Sequence, residues 1–193
     1  HGVAVNPNLR IRDQARCLAS TNVKHVVGEV QEHPGISWGL KADISEPHRR
    51  YKHRRADWGL MACTLDDPDE VFLNCVGTFG IGCASYWWTR LFSIVGRTAG
   101  ALSLDDFIFQ LLYADDLHWL TSGREGIKGV VVCVYFMALV GTPFSWGKTA
   151  GGFQYEWIGY EVDLELHELG VSEGRAAWLR TWIDNALASN GIL

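Results

Sequence analysis

The sequence predicts an α+β fold, an antiparallel sheet with helices packed on one face. Three observations carry that expectation: strand-like runs come in pairs joined by polar turns, apolar residues between them recur at helical spacing, and strands alternate with crossing helices. At 193 residues, 48% hydrophobic and 12% aromatic, the chain is long enough for one domain with a sizeable core. It opens on His1, with no initiator Met, so a fragment or processed segment is expected. No internal repeat or low-complexity linker divides it.

Residues 1–35 are the least patterned. Residues 38–44 read as a strand that carries Asp43 at its end, and residues 58–64 and 71–76 as two strands joined by the polar turn Asp66-Asp67-Pro68-Asp69. A helix is expected over residues 82–94, where Ala84, Trp87, Trp88, Leu91 and Val95 fall at roughly helical spacing. Asp105-Asp106, behind Ser103, marks an element start. Residues 109–120 form a hairpin, and residues 126–140 a helix too apolar all round to lie on the surface. Residues 153–162 read as another strand or hairpin. A last helix starts near Ser172 and runs through Trp178, Leu179, Trp182 and Ile183 to Leu187. Of the nine tryptophans, Trp87-Trp88 invites a base-stacking reading. Packing is the expected job for that pair and for Trp178 and Trp182.

Five cysteines, Cys17, Cys63, Cys75, Cys83 and Cys133, are odd in number and lack any C-x-x-C spacing, which argues against a zinc site and a disulfide framework. A reducing, intracellular setting follows, nuclear or cytoplasmic. The longest apolar run is shorter than the roughly 20 residues that span a bilayer, and no signal-peptide layout is present, so no membrane partner is expected. The net charge of −5 has the wrong sign for a simple nucleic-acid binder. Its distribution is uneven. Lys41, Arg49, Arg50, Lys52, Arg54 and Arg55 gather just around and beyond Asp43, whereas residues 156–173 carry acids and no Lys or Arg. The basic run is either a solvated face or a contact for template or nucleotide phosphates. His48 and His53 do not have the helical spacing of a metal pair.

The sharpest feature is Tyr113-Ala114-Asp115-Asp116, adjacent carboxylates between two strand-like segments. An ordinary hairpin turn is the competing reading. Phosphoryl transfer from a nucleoside triphosphate uses two hard cations roughly 3.5–4 Å apart, and such ions prefer carboxylate oxygens. Asp43 and Asp115 would converge on them if their strands are neighbours in the sheet.

Several short segments, in order, resemble the palm of a reverse transcriptase. Ala42-Asp43-Ile44-Ser45 with His48-Arg49 is similar to motif A, and Phe79-Gly80-Ile81 with Ala84 to motif B. Tyr113-Ala114-Asp115-Asp116 resembles the Y-x-D-D box, Gly141 through Lys148-Thr149 motif D, and Trp157-Ile158-Gly159-Tyr160 the primer-grip motif E. The resemblance implies a palm over residues 36–165, partial fingers over 1–35, where Arg10-Ile11-Arg12-Asp13 is the only basic grip, and a C-terminal helix over 166–193 leading toward a largely absent thumb.

It also implies RNA-directed DNA polymerisation with two Mg2+ or Mn2+ ions, an RNA or DNA template, a primer strand and deoxynucleoside triphosphates, in a retrotransposon-like element. Asp43, Asp115 and Asp116 would be the metal-ligating set, with the Ile44 carbonyl completing a shell. Lys148 would serve the leaving pyrophosphate, His48 and Arg49 the phosphates, Phe79 and Gly80 the incoming nucleotide, and Trp157 and Gly159 the primer end. Pro47 and His48 depart from the small-then-bulky pair that normally excludes a ribose 2′-OH. A catalytically silent nucleic-acid-binding remnant is the alternative, and an RNA-templated RNA or DNA-templated DNA polymerase a third.

Overall fold

The computed structural model describes residues 35–78, 80–102 and 108–189. Expectations that fall on residues 1–34, on Phe79 and on Asp105-Asp106 lie outside them. The centre is a four-stranded antiparallel sheet in the order β4-β5-β1-β6, built from β1 (Trp38–Asp43), β4 (Ile108–Tyr113), β5 (Asp116–Thr121) and β6 (Ala150–Gly152). Period-2 alternation gives this sheet two different faces. Trp38, Leu40 and Ala42 of β1, with Leu117 and Trp119 of β5, point into a core shared with two helices. Leu111 and Leu120 point the other way, into a second core.

The helical face is covered by α1 (Ala84–Ala101) and α2 (Gly123–Leu139). Ala84, Trp88, Phe92, Gly96 and Ala99 make the buried stripe of α1. A methyl group on Gly96 would sit 2.5 Å from the Leu112 side chain, so glycine is what lets α1 lie this close to β4. The Cys133 thiol donates to the Ala99 carbonyl at 3.3 Å, joining the two helices. Helix α2 ends in a Schellman arrangement: Gly141, at φ +86°, donates to Ala138 O at 3.0 Å, and Thr142 donates to Met137 O at 2.9 Å.

The opposite face is covered by a three-stranded antiparallel sheet of β7 (Gln154–Trp157), β8 (Tyr160–Asp163) and β9 (Glu168–Val171), which the sequence reading did not foresee as a layer. Because β9 belongs to it, this sheet runs past residue 165. Helix α3 (Glu173–Ala188) follows directly. A small ribbon, β2 (Ala62–Thr64) with β3 (Val71–Leu73), stands apart. Asp67 closes its turn by accepting from the Asp69 amide at 2.9 Å, as expected of a polar turn.

Three expectations are corrected. Residues 58–64 are not one strand, because a 3-10 turn, Arg55–Met61, holds most of them and the Trp58 indole folds back to donate to His53 O at 3.3 Å. Helix α2 is buried only along Gly126, Gly129, Val130, Cys133 and Met137; Val131, Val132, Tyr135 and Leu139 are exposed. An all-apolar helix carries no periodicity that says how many of its faces find a partner. Trp178 and Trp182 are not core residues: they are 66% and 43% exposed, and α3 buries none of its residues. Of Trp87-Trp88, only Trp88 is buried, stacked on Phe92 at 4.9 Å. Among the described residues no helix is long and apolar enough to cross a membrane.

Candidate active site

Strands β1 and β5 are neighbours, and their register sets Asp43 directly opposite Asp116. Residues opposed in this way hold their Cβ atoms roughly 4.5–5.5 Å apart on the same face. Asp115 occupies the two-residue turn between β4 and β5, after Ala114 at φ +54°. A non-glycine residue in that conformation costs about 1 kcal/mol. The turn is held from both sides: the buried Trp88 indole donates to Ala114 O at 2.6 Å, and the Ile44 amide donates to Asp115 O at 2.9 Å.

Lys148 arrives from far along the chain. An isolated bridge pairs Ile44 with Phe144, the Ser145 amide donates to Asp43 O at 2.7 Å, and the 3-10 turn Trp146–Lys148 then carries Lys148 Nζ to 2.9 Å from Asp43 Oδ2. Asp43 is 15% exposed in this ion pair and Lys148 70%, so solvent screens the pair from the lysine side. The hydrogen bond to Asp43 and its charge hold the lysine above the usual ammonium range, with Asp115 and Asp116 adding to the effect. Asp116 is pushed up to about 6, first by burial and then by the charges of Asp115 and Asp43, against the opposing pull of Lys41 and Lys148.

A crowd of half-buried carboxylates offering only hard oxygen donors, one of them pushed toward its neutral form by burial and by the other two, is chemically suited to a divalent cation such as Mg2+ or Mn2+. With Lys148 seated on Asp43, no group of three His, Cys, Asp or Glu side chains among the described residues is gathered as an ion-binding cluster.

The remaining residues singled out in the sequence divide. Ile44 is buried in the helix-side core, so only its backbone faces the carboxylates. Pro47 opens a 3-10 turn, Pro47–Arg50, that carries His48 and Arg49; proline is well placed at such a start, and the unusual backbone falls on Glu46 before it, at φ +50°. Arg49 is exposed. Gly80 is exposed at φ +86°, a conformation glycine takes readily. Trp157 precedes the tight β7–β8 turn and Gly159 lies in it, Ile158 and Gly159 both having positive φ. The Trp157 ring is 2% exposed and stacks on His118 at 4.5 Å, so the turn backbone is what it can offer a ligand.

Beneath the carboxylates lies a group that the sequence reading missed. His118, opposite Lys41 in the register, is fully buried and hydrogen-bonded to the Tyr155 hydroxyl at 2.5 Å. Burial holds its imidazole neutral, with a pKa lowered to about 3. Tyr155 reaches it across Gly39, where a methyl group would overlap the phenol. Alternation already puts Lys41 with Asp43, and His118 with Asp116, on one face; nothing local in the sequence announces Tyr155.

No protein-family model matches the chain, and no curated protein matches it. Solved structures do. The foamy viral protease-reverse transcriptase dRH in complex with ds DNA aligns with a TM-score of 0.68 at 13% identity, over 89% of this chain and 27% of that one. The same viral protein in complex with an RNA/DNA hybrid aligns with a TM-score of 0.60 at 12% identity, over 72% of this chain and 18% of that one. The native protease-reverse transcriptase of prototype foamy virus gives 0.57 at 14%, over 82% and 19%. This chain therefore has a reverse-transcriptase-like fold and spans less than a third of those proteins' length.

Proposed function

We propose that this chain is the palm of an RNA-directed DNA polymerase from a retrotransposon-like element, adding deoxynucleotides to a primer 3′-OH under the direction of an RNA or DNA template. The observation that carries the reading is the register of β1 against β5, which sets Asp43 beside Asp116 with Asp115 on the adjoining turn and Lys148 at hand. Two Mg2+ or Mn2+ ions held by Asp43, Asp115 and Asp116, when bound, would activate the primer hydroxyl and neutralise the triphosphate.

The chain's own groups supply the rest. Lys148 Nζ keeps its proton in this acidic surrounding and would donate it to an oxygen of the departing pyrophosphate. His48 and Arg49, on the turn that follows β1, would meet phosphates, and Phe79 and Gly80 the incoming nucleotide. The tight Ile158-Gly159 turn beside Trp157 would bear on the primer end.

The reading is tested by primer extension on an RNA template with deoxynucleotides and Mg2+ or Mn2+, comparing the chain with its Asp115→Asn variant. Extension by the wild type and a loss of ~1000-fold in the variant, the scale for removing one preorganised charge-stabilising group, with primer-template binding retained, is the expected result. Equal rates in the two proteins would overturn it. Lys148→Met should separate two effects: extension falls about 100-fold, whereas Mn2+ affinity read by calorimetry rises several-fold because a competing cation leaves Asp43. Unchanged Mn2+ affinity would remove Lys148 from the site.

A second reading, a silent nucleic-acid-binding remnant, is favoured by one observation: Lys148 is seated on Asp43 with no three-residue ion-binding cluster around it among the described residues. Primer-template binding without extension, from folded protein at saturating Mn2+, would decide for it.

A further inference from the structure

The outer side of α1 forms one wall of a cleft of about 1090 Å³. That is above the roughly 300–1,000 Å³ of a small-molecule pocket. Along this wall run Trp87, Leu91 and Ile94, 47%, 43% and 59% exposed. Their i, i+4, i+7 spacing makes a continuous apolar stripe about 10 Å long, two helical turns. Leu60 and Met61 of the 3-10 turn Arg55–Met61 face the same space. Cations border it on both sides: Arg90 and Arg97 on α1, Lys52 and Arg54 on the opposite segment. Asp57 is the one carboxylate among the described lining residues, and Arg54 already holds it at 3.1 Å.

We propose that this cleft docks an acidic amphipathic helix of a partner protein, lying along α1 with its apolar residues on Trp87, Leu91 and Ile94 and its carboxylates on Arg90, Arg97 and Lys52. Three observations select that occupant. The cleft is cationic in a chain of net charge −5, so its charge is local and complementary to an acidic ligand. The stripe gives a docking helix a two-turn apolar ridge to pack against. The α1 wall is mostly aliphatic, with Trp87 its one aromatic face, and Tyr51 and His53 line the cleft across from it; a nucleic-acid strand would stack its bases on successive aromatic faces, which the stripe does not offer. The chain's own first 34 residues carry Arg10, Arg12, Arg16 and Lys24 against Asp13, Glu29 and Glu32, and so lack the complementary charge. The inference is independent of the polymerase reading.

The test is fluorescence anisotropy with the whole chain and three labelled probes. They are a Glu-rich helical peptide of about 15 residues with Leu and Trp at i, i+4 and i+7, the same peptide with every Glu replaced by Lys, and a single-stranded oligo(dT). Binding of the Glu peptide, with the Lys peptide at least about tenfold weaker, is expected. The double variant Arg90→Glu/Arg97→Glu, and separately Leu91→Glu, should each weaken the Glu peptide about tenfold while melting like the wild type and leaving oligo(dT) binding unchanged. Equal binding of the two peptides, no binding of the Glu peptide, or loss of oligo(dT) binding in the arginine variant would each overturn the proposal, the last by assigning the cleft to nucleic acid.

Discussion

Replacing Asp116 by Asn is expected to abolish nucleotide addition and at the same time to make the ion-free protein more stable. Both effects come from one arrangement. Asp116 is half-buried opposite Asp43 and next to Asp115, and its carboxyl is pushed up to about 6 by burial and by those two charges. Its folded-state pKa thus lies above that of the unfolded chain. Its stabilising contribution is complete below about pH 4, where it is protonated in both states, and is lost as pH rises through about 6.

At neutral pH the charged form is therefore a cost, which the isosteric amide removes. With solvent screening on the open side, the gain should be about 1 kcal/mol, a rise of roughly 2–4 °C in Tm. Urea or thermal unfolding in chelator at pH 7.5 and again at pH 4 would show the gain at the first and not at the second. Addition of Mn2+ should reverse the order, stabilising the wild type by mass action and leaving the variant unmoved. For the same reason Mn2+ affinity of the wild type should fall as pH drops through about 6. A variant less stable than wild type at pH 7.5, or one that still extends a primer at the wild-type rate, would show that Asp116 is an ordinary turn carboxylate.

Gly39→Ala should be among the most damaging single methyl groups in the described part of the fold. An added Cβ would come within 2.6 Å of the Tyr155 ring carbon Cζ and closer still to the hydroxyl. Backbone pairing on both sides fixes Gly39, against Leu120 and Gly152, so the tyrosine must move. Moving it breaks the His118 bond and disturbs the Trp157 stack, leaving buried polar atoms without partners. A loss of about 2–3 kcal/mol, roughly 5–10 °C in Tm, is expected. Truncating the obstacle, Tyr155→Leu, should make the two substitutions markedly non-additive, because the alanine would then enter space already vacated. Strict additivity in denaturant unfolding would mean that the two residues do not meet.

The His118–Tyr155 contact also links the two sheets, since His118 lies on β5 two residues from Asp116 and Tyr155 on β7. The strand that presents the carboxylates is braced from below by this contact and from the helical side by Trp88 on Ala114 O.

Much of this was legible in the sequence for a definite reason. The hairpin around Asp115, the strand ending at Asp43, the turn at Asp66-Asp67 and the last helix each declare themselves within a few residues, through alternation, turn chemistry or helical spacing. Alternation along β1 also sets Asp43 on the face away from Leu40 and Ala42, and alternation along β5 sets Asp116 on the face away from Leu117 and Trp119, before any pairing is known. What the sequence by itself determined was thus the identity of the local elements and the order in which the candidate residues occur. Tertiary structure alone decided that β1 lies between β5 and β6, and with it that Asp43 meets Asp116 and that Lys148 closes on Asp43 across 105 residues. It decided equally that Trp88 and Trp157 are buried while Trp87, Trp178 and Trp182 are not. Local spacing follows from backbone geometry and is written in neighbouring residues. Strand pairing and burial are settled by which apolar faces find one another across the whole chain, and no single segment contains that information.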